Sequence, residues 1–175
     1  MTLERDNHPL YRGLLVDVCR APQAGPGSPE HDICAHPGAV GVLANRRGTL
    51  LLVRQYRYAV GRECLEIPAG KLDAGEAPAQ AARRELREET GMECGRLLEL
   101  GRLCSSPAVL AEVLYLYYAD DLRYVGEAPD EGEFLDVAPM TVEQLRGAVL
   151  RGEVQDAKTV CALQMAAARG LIEAD

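Results

Sequence analysis

Apolar and polar positions alternate along some stretches of the chain and recur at helical spacing along others, and the two patterns fall in an orderly succession. Strand-like runs occupy Tyr11–Cys19 and Glu30–Ala35, separated by the Pro/Gly-rich segment Ala21–Pro29, which reads as an exposed hairpin loop. Ala39–Ala44 and Thr49–Tyr56 are rich in Val and Leu, and Asn45-Arg-Arg-Gly48 between them is a turn signature. A short strand, Cys64–Ile67, is stopped by Pro68. Pro78–Thr90 then shows helical spacing. Pro78 suits the first turn, Ala79, Ala81, Ala82 and Leu86 give propensity and an apolar stripe, and Gly91 ends the helix. Strands resume at Leu97–Cys104, Val113–Ala119 and Phe134–Val137. A second helix covers Val142–Arg151, opened by a Thr141/Gln144 capping box and closed by Gly152. A third covers Ala157–Arg169, with Asp156 as its cap. Strands, one central helix, more strands and two final helices predict an α+β fold with a mixed β-sheet between helices, not a regular βαβ alternation.

Composition narrows the function classes. The chain has 175 residues, 47% of them apolar, enough for one domain with a real core and a small appended sheet. Its 27 acidic and 19 basic residues give a net charge of −8, which argues against an electrostatic nucleic-acid binder. No apolar run reaches the length of a membrane span, and the charged N-terminus lacks a signal core, so a cytoplasmic protein is expected. Cys19, Cys34, Cys64, Cys94, Cys104 and Cys161 form no C-x-x-C pair and read as reduced, buried small hydrophobes. His8, His31 and His36 lie in the N-terminal region without partners for a zinc site.

The central helix carries the chemistry. Glu85, Glu88 and Glu89 stand at i, i+3 and i+4, so they share one helix face. Glu76, just before the helix, can fold back toward them. Arg84 offsets Glu88, but Glu85 and Glu89 repel each other, at roughly 0.2–0.5 kcal/mol for such a pair. A divalent cation makes the cluster tolerable, and Mg²⁺ takes a few carboxylate oxygens while bridging to substrate phosphates. A solvated helix face with scattered ion pairs is the plainer reading of the charges alone. The loop Pro68-Ala69-Gly70 tips the balance, because it can set a backbone carbonyl beside the carboxylates.

Gly70, five residues, Glu76, seven residues, Arg84-Glu85-Leu86, one residue, Glu88-Glu89, one residue, Gly91 and Met92 together resemble the Nudix box at all nine defined positions. The resemblance implies a Nudix fold, a mixed sheet sandwiched between helices with the box as loop–helix–loop, preceded here by an antiparallel β extension. It places an N-terminal hairpin extension at 1–36 and the hydrolase domain at 37–175, with the box at 70–92. It also implies hydrolysis of a nucleoside diphosphate linked to another moiety, with two or three Mg²⁺ or Mn²⁺ ions per site. Glu85 and Glu89 would be the principal metal ligands. Glu88 would be a further ligand or act through water, and the carbonyl of Ala69 would complete the set. Arg84 would orient the glutamates, and Glu76 would support the loop–helix geometry. Neutralising phosphoryl charge and activating water are tasks that metal ions perform, and an acidic protein handling an acidic substrate needs them.

Three further features resemble the ADP-ribose pyrophosphatase branch: Val53-Arg-Gln-Tyr-Arg57, Leu65-Glu-Ile-Pro-Ala-Gly70, and Ser106-Pro107, whose proline lies sixteen residues past Gly91. The resemblance implies ADP-ribose as substrate, with AMP and ribose 5-phosphate as products. The branch usually has Ser-Pro-Gly, a small polar residue and an acid, where this chain has Ser106-Pro-Ala-Val-Leu-Ala-Glu112. That departure leaves the exact substrate open, with Glu112 retaining the acidic position. A GDP-sugar or another nucleoside diphosphate-sugar is the alternative, and a catalytically silent nucleotide sensor a more distant one, since all box glutamates are present. Arg54 and Arg57 are candidate phosphate and ribose anchors, expected on one strand face by alternation. Glu66 and Asp73 are candidate acceptors for adenine or ribose. The branch often supplies its general base from a loop after the sheet. Pro129-Asp-Glu131-Gly-Glu133 matches that loop, with Glu133 preferred over Glu131 and Gly132 giving freedom to close. Members of the branch also resemble swapped dimers joined through the N-terminal sheet. A lone hairpin needs something to pack on, so a homodimer is expected.

Overall fold

The computed structural model describes residues 9–13, 16–21, 25, 27, 29–126 and 136–173. The described residues form two sheets. The smaller has four strands in the order β1 (Pro9–Arg12), β2 (Asp17–Arg20), β3 (Asp32–Ala35) and β9 (Leu110–Ala111). The larger has seven strands. Its main path is β11 (Asp136–Thr141), β5 (Thr49–Arg57), β4 (Ala39–Arg46), β10 (Leu114–Tyr124) and β8 (Met92–Leu103). Two short strands leave that path: β6 (Arg62–Glu66) pairs with β5, and β7 (Ala69–Lys71) pairs with β4. The sheet is mixed, because β10 runs parallel to β4 and antiparallel to β8. Helix α1 (Pro78–Thr90) covers one face, and α2 (Val142–Leu150) with α3 (Ala157–Ala168) covers the other.

Strand β4 explains this sandwich. Its first six residues, Ala39 to Ala44, are all buried. Val40, Val42 and Ala44 point toward α1, where they meet Ala81, Ala82 and Leu86. Ala39 and Leu43 belong to the opposite core, with Leu145, Leu163 and Ala166 from α2 and α3. A strand covered on both faces reads as a continuous apolar run, as this one does. Gly41 keeps the second layer close: a Cβ there would lie 3.0 Å from Ile67 Cδ1. The β4–β5 reversal has both central residues, Arg47 and Gly48, at positive φ (54° and 89°), the geometry that matches strand twist in a two-residue hairpin.

The expected strand Tyr11–Cys19 is two antiparallel strands, β1 and β2. Gly13 makes the reversal. Its N–H donates to the Val16 carbonyl at 3.0 Å, and a Cβ would come within 2.7 Å of that oxygen. All three helices lie where the sequence predicts them, α1 with identical bounds and a left-handed Gly91 stop whose N–H bonds the Arg87 carbonyl. The six cysteines are free, but only Cys94 is buried and Cys104 is exposed, so they are not uniformly core residues. Among the described residues, no helix is long and apolar enough to cross a membrane.

Candidate active site

The loop entering α1 and the helix itself are tied together through one arginine. Arg84 Nε and Nη2 donate to the two oxygens of Glu76, each at 3.0 Å. Its Nη1 donates to Glu85 Oε1 (2.7 Å) and Glu88 Oε2 (2.9 Å), and Nη2 also reaches the Lys71 carbonyl (3.0 Å). One guanidinium thereby offsets three carboxylates. The Glu76 bonds contribute most to raising the Arg84 pKa, and Arg84 in turn lowers that of Glu76. Asp73 sits outside this knot. Its N–H caps Glu76 Oε2 (3.1 Å), while its carboxylate is 78% exposed and 3.9 Å from Arg84 Nε.

Glu85 and Glu89 are on the buried side of α1, 8% and 7% exposed. Both carboxylates press on the strand that follows Pro68. Glu89 Oε2 accepts from the Ala69 N–H at 2.9 Å. The Glu85 carboxylate lies so close to Gly70 that a Cβ there would sit 1.9 Å from Oε1. Glycine at 70 is thus required by the approach of a carboxylate, not by backbone strain.

A cavity of about 460 Å³ opens beside Ala69 and Gly70. Arg57, Lys71 and Lys158 supply its cations; His36 and Glu112 line it from the other sheet's side. Arg57 grips Glu66 with two bonds, Nε to Oε1 (2.8 Å) and Nη2 to Oε2 (2.7 Å), and Lys158 Nζ donates to the same Oε2. Burial alone would push the Glu66 carboxyl up. The Arg57 hydrogen bonds and the Lys158 charge outweigh it and hold the group at about 2. The Glu66 hydrogen bond is also the largest cause of the raised Arg57 pKa. Glu112 accepts from the Ser105 hydroxyl and lies 3.6 Å from His36 Nδ1, to which the Gly38 N–H donates at 3.2 Å.

Other expected contacts do not converge here. Arg54 is exposed and lines a different groove, with Glu63, Met140, Glu143 and Arg151. Positions three apart on a period-two strand face opposite ways, so Arg54 and Arg57 cannot share a face, contrary to the expectation. Pro107 lies in the exposed turn closed by Val109 and Leu110 N–H groups on the Ser106 carbonyl, and it does not line the cavity. Glu131 and Glu133 fall outside the described residues.

The Nudix domain model matches residues 35–163. The chain belongs to the Nudix family. It is 38% identical over 160 residues to an ADP-ribose pyrophosphatase of Bacillus subtilis, covering 89% of this chain and 86% of that one. It is 34% identical over 185 residues to a GDP-mannose pyrophosphatase of Citrobacter koseri, covering 95% and 92%. A methanol dehydrogenase activator of Bacillus methanolicus is 38% identical over 154 residues, covering 86% and 82%. A solved structure described as an ADP compounds hydrolase shares the fold, with a TM-score of 0.80 at 22% identity, covering 98% of this chain and 96% of that one.

The Nudix box residues fit a hard dication. They offer carboxylate oxygens of Glu85, Glu88 and Glu89 against a backbone segment, and no soft ligand among them. The approach of Glu85 to Gly70 and of Glu89 to Ala69 brings acid and main chain together at one place. Among the described residues, no three acid, histidine or cysteine groups already form a closed ligand cage. Arg84 spans Glu85 and Glu88 in the arrangement described. Sequence reasoning missed Lys158, Lys71 and His36 as cavity residues. Lys158 meets Glu66 across 92 positions, and no local spacing announces such a pair.

Proposed function

We propose that the chain hydrolyses the pyrophosphate bond of a nucleoside diphosphate derivative, with ADP-ribose as substrate and AMP and ribose 5-phosphate as products. One observation carries the reading: the cavity that contains Arg57 and Lys158 is floored by Ala69 and Gly70, against which Glu85 and Glu89 are held. A polyanion entering it would meet Arg57, Lys71 and Lys158, with a carboxylate cluster suited to dications held behind the main chain of Ala69 and Gly70. Mg²⁺ or Mn²⁺, two or three ions held by Glu85, Glu88, Glu89 and the Ala69 carbonyl, would neutralise phosphoryl charge and supply an activated water. Arg84 holds the glutamates in register and Glu76 holds Arg84. Arg57 grips phosphate oxygens, and Glu112 is placed to accept from sugar hydroxyls. The proton acceptor is assigned to Glu133, then Glu131, in the segment between β10 and β11.

The homologue pattern supports the choice of ADP-ribose, and the GDP-mannose pyrophosphatase of Citrobacter koseri supports a GDP-sugar as the second reading. The Ala108-Val109-Leu110 run, with Val109 52% exposed, departs from the pattern of the ADP-ribose branch and keeps the second reading open. The test is chromatography of products from ADP-ribose and from GDP-mannose, each with Mg²⁺. AMP released faster from ADP-ribose than GMP from GDP-mannose supports the first reading, and the reverse supports the second. No hydrolysis of either would refute both.

The working unit in this reading is a cytoplasmic homodimer joined through the N-terminal extension, residues 1–36. Leu10 and Tyr11 on β1 are 52% and 63% exposed, apolar surface suited to a partner. Six free cysteines suit a reducing compartment. Light scattering of the full chain decides the assembly.

A further inference from the structure

We propose that Lys158, at the start of α3, sets the affinity for the diphosphate by balancing the charge around Arg57. The inference rests on the nucleoside diphosphate reading above and adds a residue to it. Arg57 is the cation that substrate phosphates would meet, yet it is already committed to Glu66 through two hydrogen bonds. Asp156 lies close behind, and its charge and that of Glu89 reach Arg57 as well. Three acids around one arginine would leave the cluster with two excess negative charges and repel a polyanion.

Lys158 halves that excess. Its Nζ donates to Glu66 Oε2 and to Asp156 Oδ1 (2.9 Å), adding a second cation against the three acids. The group is mostly buried, its side chain 13% exposed beside Glu66 at 4%, so solvent screens it weakly. The helix end that carries it is firmly placed. Asp156 Oδ2 caps α3 by accepting from Thr159 N–H (3.0 Å), and the Thr159 hydroxyl oxygen accepts from the Ile67 N–H (2.9 Å). The same few residues therefore tie α3 to the strand leading into Ala69 and Gly70. Lys158 also lines the cavity itself. It is a positioning and charge-balancing residue, acting through Glu66 and Arg57.

Calorimetric titration of the non-hydrolysable analogue α,β-methylene ADP-ribose into the full-length protein with Mg²⁺ reads affinity without turnover. Lys158→Met is expected to weaken binding about tenfold or more, with Lys158→Arg retaining it. The deciding variant is the double substitution Lys158→Met with Asp156→Asn. Asparagine still caps the helix, and the net charge of the cluster returns to that of the wild type. It is expected to recover most of the lost affinity. Loss in Lys158→Met that the double variant does not recover, with both proteins folded by circular dichroism, would mean a merely structural role and overturn the inference. Unchanged affinity in Lys158→Met would overturn it too. Failure of the wild-type protein to bind the analogue with Mg²⁺ present would instead overturn the reading of the site, and this inference with it.

Discussion

Two charged walls meet at Ala69 and Gly70 and are built on opposite plans: one lines the cavity, the other stands behind its Ala69–Gly70 edge. The acidic wall comes from one continuous segment, Gly70 to Glu89, with Arg84 tying Glu76, Glu85 and Glu88 within a single loop and helix. The cationic wall is assembled from distant pieces: Arg57 on β5, Glu66 on β6, and Asp156 and Lys158 at the start of α3. The first is local and needs little of the fold to keep its geometry. The second exists only when α3 docks on the sheet, so under the proposed function it would link substrate affinity to the second helical layer.

Breaking the acidic wall has the largest expected effect. Glu89→Gln removes a carboxylate from the cluster while keeping its bond from the Ala69 N–H. Loss of several kcal/mol of transition-state stabilisation corresponds to about a 10³-fold fall in kcat/KM. Initial rates on ADP-ribose with saturating Mg²⁺ check it; a fall under tenfold would mean that the wall is not the catalytic one.

The cationic wall is probed by acid. Glu66 has a folded-state pKa of about 2, below its ordinary 4.5. Its contribution to stability is therefore complete above pH 4.5 and is lost as the pH falls toward 2. The difference amounts to about 3 kcal/mol at most. Urea unfolding at a series of pH values should show a shallower acid limb for Glu66→Gln, with about one proton fewer taken up on unfolding. The hinge between the two walls is tested by Thr159→Val, which leaves the buried Ile67 N–H without its acceptor. A stability loss of about 1–3 kcal/mol is expected, read from the urea midpoint.

The contrast also explains what the chain reveals on reading. Helix α1 was legible to the residue, since Pro78, the alanine stripe and Gly91 all act locally. So was the pairing of Arg84 with its glutamates at neighbouring helical positions. The β1–β2 reversal at Gly13 was not, because β1 and β2 together look like one apolar run, and only the close approach of the Val16 carbonyl shows why glycine is there. Strands β7 and β9 have three and two residues, too few for any periodicity. Lys158 was hidden for another reason: charge pairing between α3 and β6 depends on how the layers stack, and the sequence shows only the helix cap Asp156 beside it.

The central claim is that Glu85 and Glu89, packed against Ala69 and Gly70, take up divalent cations. Titration of Mn²⁺ followed by electron paramagnetic resonance measures this directly, because free Mn²⁺ gives the signal and bound Mn²⁺ loses it. The wild-type protein is expected to deplete the free signal with at least one ion per chain, and Glu85→Gln with Glu89→Gln to abolish that uptake while the fold survives. Equal uptake by the folded double variant would contradict the account.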